Sequence, residues 1–385
     1  MIRLCEHTEC TGCMSCQNIC PKAAITMRED ANGFLYPSID IQTCTECGLC
    51  QKVCPSLSPV KKWAKAEKPI AALAKAASIR RISSSGGMFS LLSKTILEEN
   101  GLIFGATFTS DYGIIHSVAQ DIKSLAPLRG SKYAQSSIGN CYQQAQIALK
   151  EGRKVLFSGT PCQIAGLRKF LRNCPTDNLF TIDVICHGVP SAKAFQTYLD
   201  KLADKLSLTR SDIQDFQFRT LWKWDIIPSF ILNNIRHDLS QEENLYMRLF
   251  LTSRLHRECC YQCPFATPER VSDITLGDFW GIGHKHPYPY DTQEGCSLVL
   301  INNEKGASLF NKIKNELSFE KREWSEALRR NSQLRVSSTR PKDREKALFA
   351  LFNLSYDEIY NQFFNTPWAR FRHFGGSIIR KLKQI

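Results

Sequence analysis

The stretch CTGCMSCQNICP, from Cys10 to Pro21, recurs in form as CTECGLCQKVCP, from Cys44 to Pro55. Each reads C-x2-C-x2-C-x3-C-P. Three thiols two residues apart can wrap a turning loop around three corners of one cubane iron–sulfur cluster, while the fourth points away and completes another. Two copies are therefore needed to close two sites. Cys10, Cys13 and Cys16 pair with Cys54, and Cys44, Cys47 and Cys50 with Cys20, for two 4Fe-4S clusters. Each proline ends its loop where a missing N–H does least harm. Four thiolates also suit zinc, but zinc ribbons separate two C-x2-C knuckles by about a dozen residues or more. The spacing favours iron–sulfur.

The chain has 385 residues and 17 cysteines. No apolar signal with a cleavage site follows MIRLCEHTEC, so a reducing, cytoplasmic setting is expected, in which clustered thiols bind metal rather than form disulfides. No apolar run approaches the ~18 residues needed to span a bilayer. The alanine-rich PIAALAKAASI is interrupted by Lys75. Between the ladders, AAITMREDANGFLYPSID reads as two short strands around an Asn32-Gly33 turn. Residues 1–58 are thus expected to form an α+β ferredoxin-like domain. A lysine-rich, proline-punctuated linker follows, from Ser58 to Pro69.

Beyond it the pattern changes. GMFSLLSKTILEEN reads as a helix, LIFGATF as a strand, QQAQIALKEG as a helix, KVLFSGTP as a strand, QIAGLRKFL as a helix and LFTIDVIC as a strand. PSAKAFQTYLDKLADKL is a further helix, while Arg210 to Asp238 reads as aromatic-rich and irregular. DITLGDF and CSLVLINN look like two more strands, before the helix EKGASLFNKIKNEL. Strands alternating with helices predict an α/β domain with a largely parallel sheet over residues 69–325.

Ligands of such sheets gather at the carboxyl ends of the strands. SSSGGMFS, with Ser84, Ser85, Gly86 and Gly87, leads straight into a helix. It reads equally well as a phosphate cradle for a nucleotide-like cofactor or as a serine turn capping the helix. SKYAQS offers Lys132 as a phosphate partner and Tyr133 as a stacking ring, although alone it reads as surface. No G-x-G-x-x-G follows a strand, so a Rossmann nicotinamide site has no support. Cys162 in SGTPCQ and Cys186 in ICHGVP each sit at a predicted strand end. CCYQCP supplies Cys260 and Cys263, with Cys260 preferred over Cys259 because only it has the two-residue spacing. These four suit either a third cluster or buried thiols. Cys5, Cys141, Cys174, Cys259 and Cys296 receive no role.

Taken in order, the ladders, SSSGGMFS, SGTPCQIAGLR, DVICHGVP and CYQCPF followed by SDITLGDFWG resemble the beta subunits of the coenzyme F420 (deazaflavin) hydrogenases and dehydrogenases. Related reductases of chlorophyll metabolism are similar. The resemblance implies FAD near Ser84, Ser85, Gly86, Gly87, Lys132, Tyr133, Gly159 and Thr160, and ligation of a third 4Fe-4S cluster by Cys162, Cys186, Cys260 and Cys263. Asp278 and Trp280 in GDFWG read either as neighbours of a flavin ring or as packed core residues, and His187, beside Cys186, either as a proton donor or as a packed core residue. The function implied is a flavin-dependent iron–sulfur oxidoreductase. It would pass electrons between ferredoxin or another carrier, the clusters and FAD, to or from an organic substrate. The alternative is an electron-carrying subunit with no turnover of its own.

The formal net charge is +13, and residues 321–385 hold 14 Lys plus Arg against 6 Asp plus Glu. A basic helical tail is expected over 326–385. Its end, WARFRHFGGSIIRKLKQI, mixes aromatics with cations and suits an anionic membrane surface, an acidic partner, or plain packing on the domain before it. Nucleic-acid binding is not expected, since it would call for zinc in the ladders and no flavin.

Overall fold

The computed structural model describes residues 2–219 and 224–365. Between the ladders, β1 (Ile25–Glu29) pairs antiparallel with β2 (Leu35–Ile39). Asp30 closes the turn by accepting the N–H groups of Asn32 and Phe34, and Gly33 supplies the required φ of 75°. Two short helices, Ser15–Ile19 and Leu49–Lys52, complete this module.

The rest of the chain adds β3 (Ile70–Ala74), β4 (Leu102–Phe108), β5 (Ile114–Ala119), β6 (Val155–Gly159) and β7 (Leu179–Val184). It continues with β8 (Gln214–Gln217), β9 (Ser229–Leu232), β10 (Ile235–Asp238), β11 (Ile274–Asp278), β12 (Ser297–Ile301) and β13 (Leu317–Lys321). Eight of them form one sheet in the order β13-β3-β12-β11-β7-β6-β4-β5. The largely parallel sheet expected from the alternation is corrected to a mixed one. Only the central run β11-β7-β6-β4 is parallel; the outer pairings are antiparallel. The reason lies in the connections. A parallel pair needs a crossover of a dozen or more residues, usually a helix, whereas β4 and β5 are joined by a tight turn in which Thr109 N–H donates to Gly113 O at 2.8 Å. No helix separates β11 from β12.

Side-chain alternation along the central strands feeds two cores. Ile103 and Leu156 face the helices Met88–Glu98 and Glu304–Ile313, while Phe104 and Phe157 face Cys141–Lys150 and Pro161–Phe170. The ladder module sits on this second face. Met14 enters its core, Ser15 Oγ donates to Gly166 O at 3.0 Å and Asn18 Nδ2 to Gly139 O at 2.8 Å. The linker has no regular structure but is tied down, with Trp63 N–H on Arg270 O at 2.7 Å and Trp324 Nε1 on Ala66 O at 3.0 Å.

The stretch expected to be irregular contains β8, β9 and β10 as a small antiparallel sheet, turned at Asn233 and Asn234 with φ of 50° and 62°. Its aromatics fill a third core with the helix Ala192–Lys205. The helices Arg344–Asn353 and Tyr356–Phe363 also pack there, through Leu348, Leu351 and Ile359. The aromatic and basic terminus, 366–385, lies outside the described residues. Among the described residues no helix is long and apolar enough to cross a membrane.

Candidate functional site

Both ladders turn in the same way. In the first, Gly12 and Met14 have φ of 65° and 60°; at the matching places of the second, Glu46 and Gly48 have 53° and 70°. Two left-handed residues between three cysteines curl each loop inward and start a short helix at once. One cavity is walled by Cys10, Cys13, Cys16 and Cys54, and a second by Cys20, Cys44, Cys47 and Cys50. These are the crossed sets read from the spacing. Cys47 is exposed, so the second cavity is the outer one.

The first cavity also holds Cys5, to which the sequence assigned nothing. Its thiol donates to Cys10 and Cys54, and this is the main reason both are pulled down, to about 6. Burial pushes Cys13 up to about 12 and Cys16 well above the ordinary thiol range, against the backbone N–H groups of Ser15 and Gln17. Filling this cavity with a thiolate-bound group therefore releases protons. Among the described residues no three His, Cys, Asp or Glu side chains are drawn together closely enough to hold a single metal ion. The thiols stand around cavities instead.

The second thiol group forms at the sheet. β6 and β7 are parallel neighbours, so the residues after them emerge on one side. Cys162 follows β6 at the start of the helix Pro161–Phe170, and Cys186 lies two residues past β7. The 3-10 turn Glu258–Gln262 brings Cys260, and Cys263 follows it. Cys186, Cys260 and Cys263 all lie within electrostatic reach of Cys162. Burial, then the charge of Cys260, pushes Cys186 up to about 12. Backbone N–H groups favour the charged forms: Gly188 for Cys186, Val189 for Cys260, Phe265 and Ala266 for Cys263. Cys259 bonds Cys260.

A cavity of about 320 Å³ borders this group. Cys186 lines it, as does Thr160, whose Oγ1 lies 3.1 Å from Cys162 Sγ. Of the residues singled out from sequence, Ser84, Ser85, Gly87, Lys132, Tyr133, Gly159, Asp278, Trp280 and His187 line it too. Gly86 does not. It backs the turn against the sheet, where an added Cβ would lie 2.3 Å from Ala72 O and 2.8 Å from Ser297 N. Its smallness serves close packing of the turn on β3 and β12.

The electrostatics at this end are cationic. Lys132 Nζ donates to Pro127 O and Arg129 O at 2.7 and 2.6 Å, and burial pushes its ammonium down to about 7. Arg129, also depressed by burial, donates to Ser90 Oγ at 3.2 Å. Among the described residues neither forms a salt bridge with a carboxylate. With the N-terminus of the eleven-residue helix Met88–Glu98 beside them, they suit an anion. At the far wall Asp278 accepts from Arg219 at 2.6 Å and Trp224 Nε1 at 2.9 Å, and Trp224 stacks on Trp280 at 4.8 Å. His116 is neutral, pushed down to about 4 by burial.

Sequence reading missed Arg129, His116, Gln163 and Arg219 in this wall. Gln163 left a trace, since T-x-x-Q is a capping box, and Thr160 N–H does donate to Gln163 Oε1 at 3.0 Å. The other three carried no local signal.

Thiol groups leading to a cavity at the carboxyl ends of parallel strands are an arrangement that suits iron–sulfur electron transfer. The comparisons with known proteins agree. Residues 9–57 match the 4Fe-4S dicluster domain, and residues 152–327 match the C terminus of the coenzyme F420 hydrogenase/dehydrogenase beta subunit. Over those residues the chain is similar to that family's C-terminal region, behind a stretch similar to a dicluster domain, which is the resemblance its motifs suggested. No curated protein matches. Among solved structures, a chain of the F420-reducing NiFe hydrogenase complex from Methanosarcina barkeri is similar in fold, with 17% identity and a TM-score of 0.51, over 74% of this chain and 92% of that one.

Proposed function

We propose that the chain is a flavin-dependent iron–sulfur oxidoreductase. Cys10, Cys13, Cys16 and Cys54 would hold one 4Fe-4S cluster, Cys44, Cys47, Cys50 and Cys20 a second, and Cys162, Cys186, Cys260 and Cys263 a third. FAD would occupy the 320 Å³ cavity. Its electron partners would be ferredoxin or a deazaflavin carrier, and its substrate an organic hydride donor or acceptor.

The observation that carries the reading is a shared wall: Cys186 belongs both to the inner thiol group and to the cavity lining. When bound, a flavin exchanges hydride with an organic molecule and single electrons with iron–sulfur centres. The chain's residues supply the rest. Lys132, Arg129 and the SSSGG turn hold the anionic end, and Tyr133 and Trp280 offer flat rings. The Arg219–Asp278 pair sets a buried charge in the cavity wall without leaving it unbalanced.

The test is anaerobic purification with iron, sulfide and flavin analysis. About twelve irons are expected, on cubane stoichiometry, with one non-covalent FAD. Cys186→Ser should lower iron toward about eight. Zinc without sulfide would end the cluster reading, and full iron without flavin would end the FAD reading. A second reading, an electron-carrying subunit without turnover, is favoured by the likeness to a chain of a hydrogenase complex. It requires clusters and flavin but no reduction of any small molecule by the isolated chain.

A further inference from the structure

Five arginines are deeply buried among the described residues: Arg219, Arg257, Arg270, Arg322 and Arg344. Four of them face carboxylates. Arg219 meets Asp278, Arg270 meets Asp183, Arg322 meets Glu326, and Arg344 meets Glu258 and Glu345. That is the usual condition for burying a guanidinium, because removing a lone charge from water costs several kcal/mol.

Arg257 is the exception. It is 0% exposed, and among the described residues it forms no salt bridge with a carboxylate. Nε donates to Cys10 O at 2.6 Å, NH1 to Gln135 Oε1 at 3.1 Å and NH2 to Leu35 O at 3.0 Å. Its guanidinium lies 4.0 Å from the centre of the Tyr36 ring. Within its electrostatic reach lie three thiols and a phenol, Cys10, Tyr36, Cys259 and Cys260, and Cys260 N–H donates to Arg257 O at 3.0 Å. Cys10 belongs to the first ladder and Cys260 to the inner thiol group. The first ladder packs closely on this side chain and on Gln135, since a Cβ at Gly12 would stand 2.8 Å from Gln135 Nε2 and 3.0 Å from Arg257 NH1. The second ladder has Glu46 at the matching place.

We infer that Arg257 is a shared counter-cation for the first-ladder and inner clusters, placed between them so that its charge eases the reduction of both. The inference rests on the proposed ligand sets. A cubane held by four thiolates is anionic, and one electron from an external reductant adds a further negative charge with no proton required. A fixed cation beside it lowers the cost of that charge, and net charge is one of the determinants of cluster potential. The carboxylate that Arg257 lacks is replaced by thiolates belonging to two sites at once.

The test is an anaerobic reductive titration of the full-length, cluster-loaded protein, followed by electron paramagnetic resonance after iron and sulfide have been counted. Arg257→Gln removes the charge. Gln135→Glu keeps the arginine and nearly the same shape but neutralises it in place. Arg257→Lys keeps the charge and loses the fork. Both neutralising variants should make two clusters at least tenfold harder to reduce, which is ~59 mV for a one-electron couple. The outer cluster, at Cys20, Cys44, Cys47 and Cys50, should not move, and Arg257→Lys should stay within about threefold of wild type.

If Arg257→Gln does not fold, Gln135→Glu decides. Full iron with unmoved potentials in Gln135→Glu overturns the inference, as does an equal shift in the Lys and Gln variants, which would mark a purely geometric role. A wild-type protein without iron and sulfide would instead overturn the ligand assignment beneath it.

Discussion

Arg270 fastens the inner thiol group, and replacing it with Met should loosen that group before any other part of the molecule. Its NH2 donates to Asp183 Oδ1 at 3.0 Å and Val184 O at 3.1 Å, at the end of β7 just before Cys186. NH1 donates to Phe265 O at 2.8 Å, two residues after Cys263, and Nε to Thr275 Oγ1 at 3.2 Å. One side chain thus joins the two segments that carry Cys186 and Cys263. Asp183 is fully buried and its Oδ2 has no hydrogen-bond partner, so loss of the arginine strands a carboxylate. Breaking such a pair costs about 3–5 kcal/mol. At roughly 2–4 °C per kcal/mol for a domain of this size, the melting temperature should fall by about 6–20 °C. Adding Asp183→Leu removes the stranded charge and should recover about 1–2 kcal/mol of the loss. Denaturant and thermal unfolding give the stabilities, and iron per chain should drop from about twelve toward eight because the ladders lie elsewhere. The reasoning fails if Arg270→Met is as stable as wild type, or if the double variant is worse than the sum of the two single ones.

Two further outcomes can be measured directly. Burial holds free Lys132 near 7, and an anion beside it would raise that value, so FAD binding above pH 7 takes up a proton. Affinity should be level below about pH 7 and fall by up to tenfold per unit above it, a slope that Lys132→Met removes; flavin titrations that stay flat from pH 6 to 9 in the wild type would exclude this contact. At the other end of the chain, truncation after Asn365 removes Arg370, Arg372, Arg380, Lys381 and Lys383. At about 1 kcal/mol per cation near an anionic surface, that should abolish binding to anionic vesicles while leaving iron and flavin in place. Full-length protein that ignores such vesicles at low salt would leave partner docking or packing as the role of this segment.

What the sequence made legible was whatever its chemistry confines to a short stretch. The ladders could be read with their crossed pairing because C-x2-C-x2-C leaves the loop few ways to turn, and the two cavities are walled by those sets. The central strands were legible for a similar reason: each is a short apolar run bounded by turn residues, followed by an amphipathic helix. The edges were not. β3 lies in an alanine-rich stretch whose one strong strand former is Ile70, yet all five of its residues are buried, with β12 and β13 paired along its two edges. Strand direction was equally hidden, since only the connections decide it and the link from β11 to β12 contains no helix to betray its sense.

The site divides along the same line. Small-residue turns and cysteines at strand ends can be singled out in sequence, although each keeps a structural alternative, which Gly86 takes by packing its turn on β3 and β12. The charges that make the site work do not. Arg129, Arg219, Arg257 and Arg270 sit in unremarkable local sequence and acquire meaning only from what folding sets opposite them. Arg270 and Arg257 show how much that matters, lying thirteen residues apart and both buried beside thiols. Arg270 faces a carboxylate and joins two loops, and its charge also reaches Cys186 and Cys263. Arg257 faces carbonyls, an amide and rings, so its charge remains available to whatever anion the thiols hold. On the proposed ligand sets, Arg270 would therefore govern whether the inner thiols stay together, and Arg257 how easily what they bind accepts an electron.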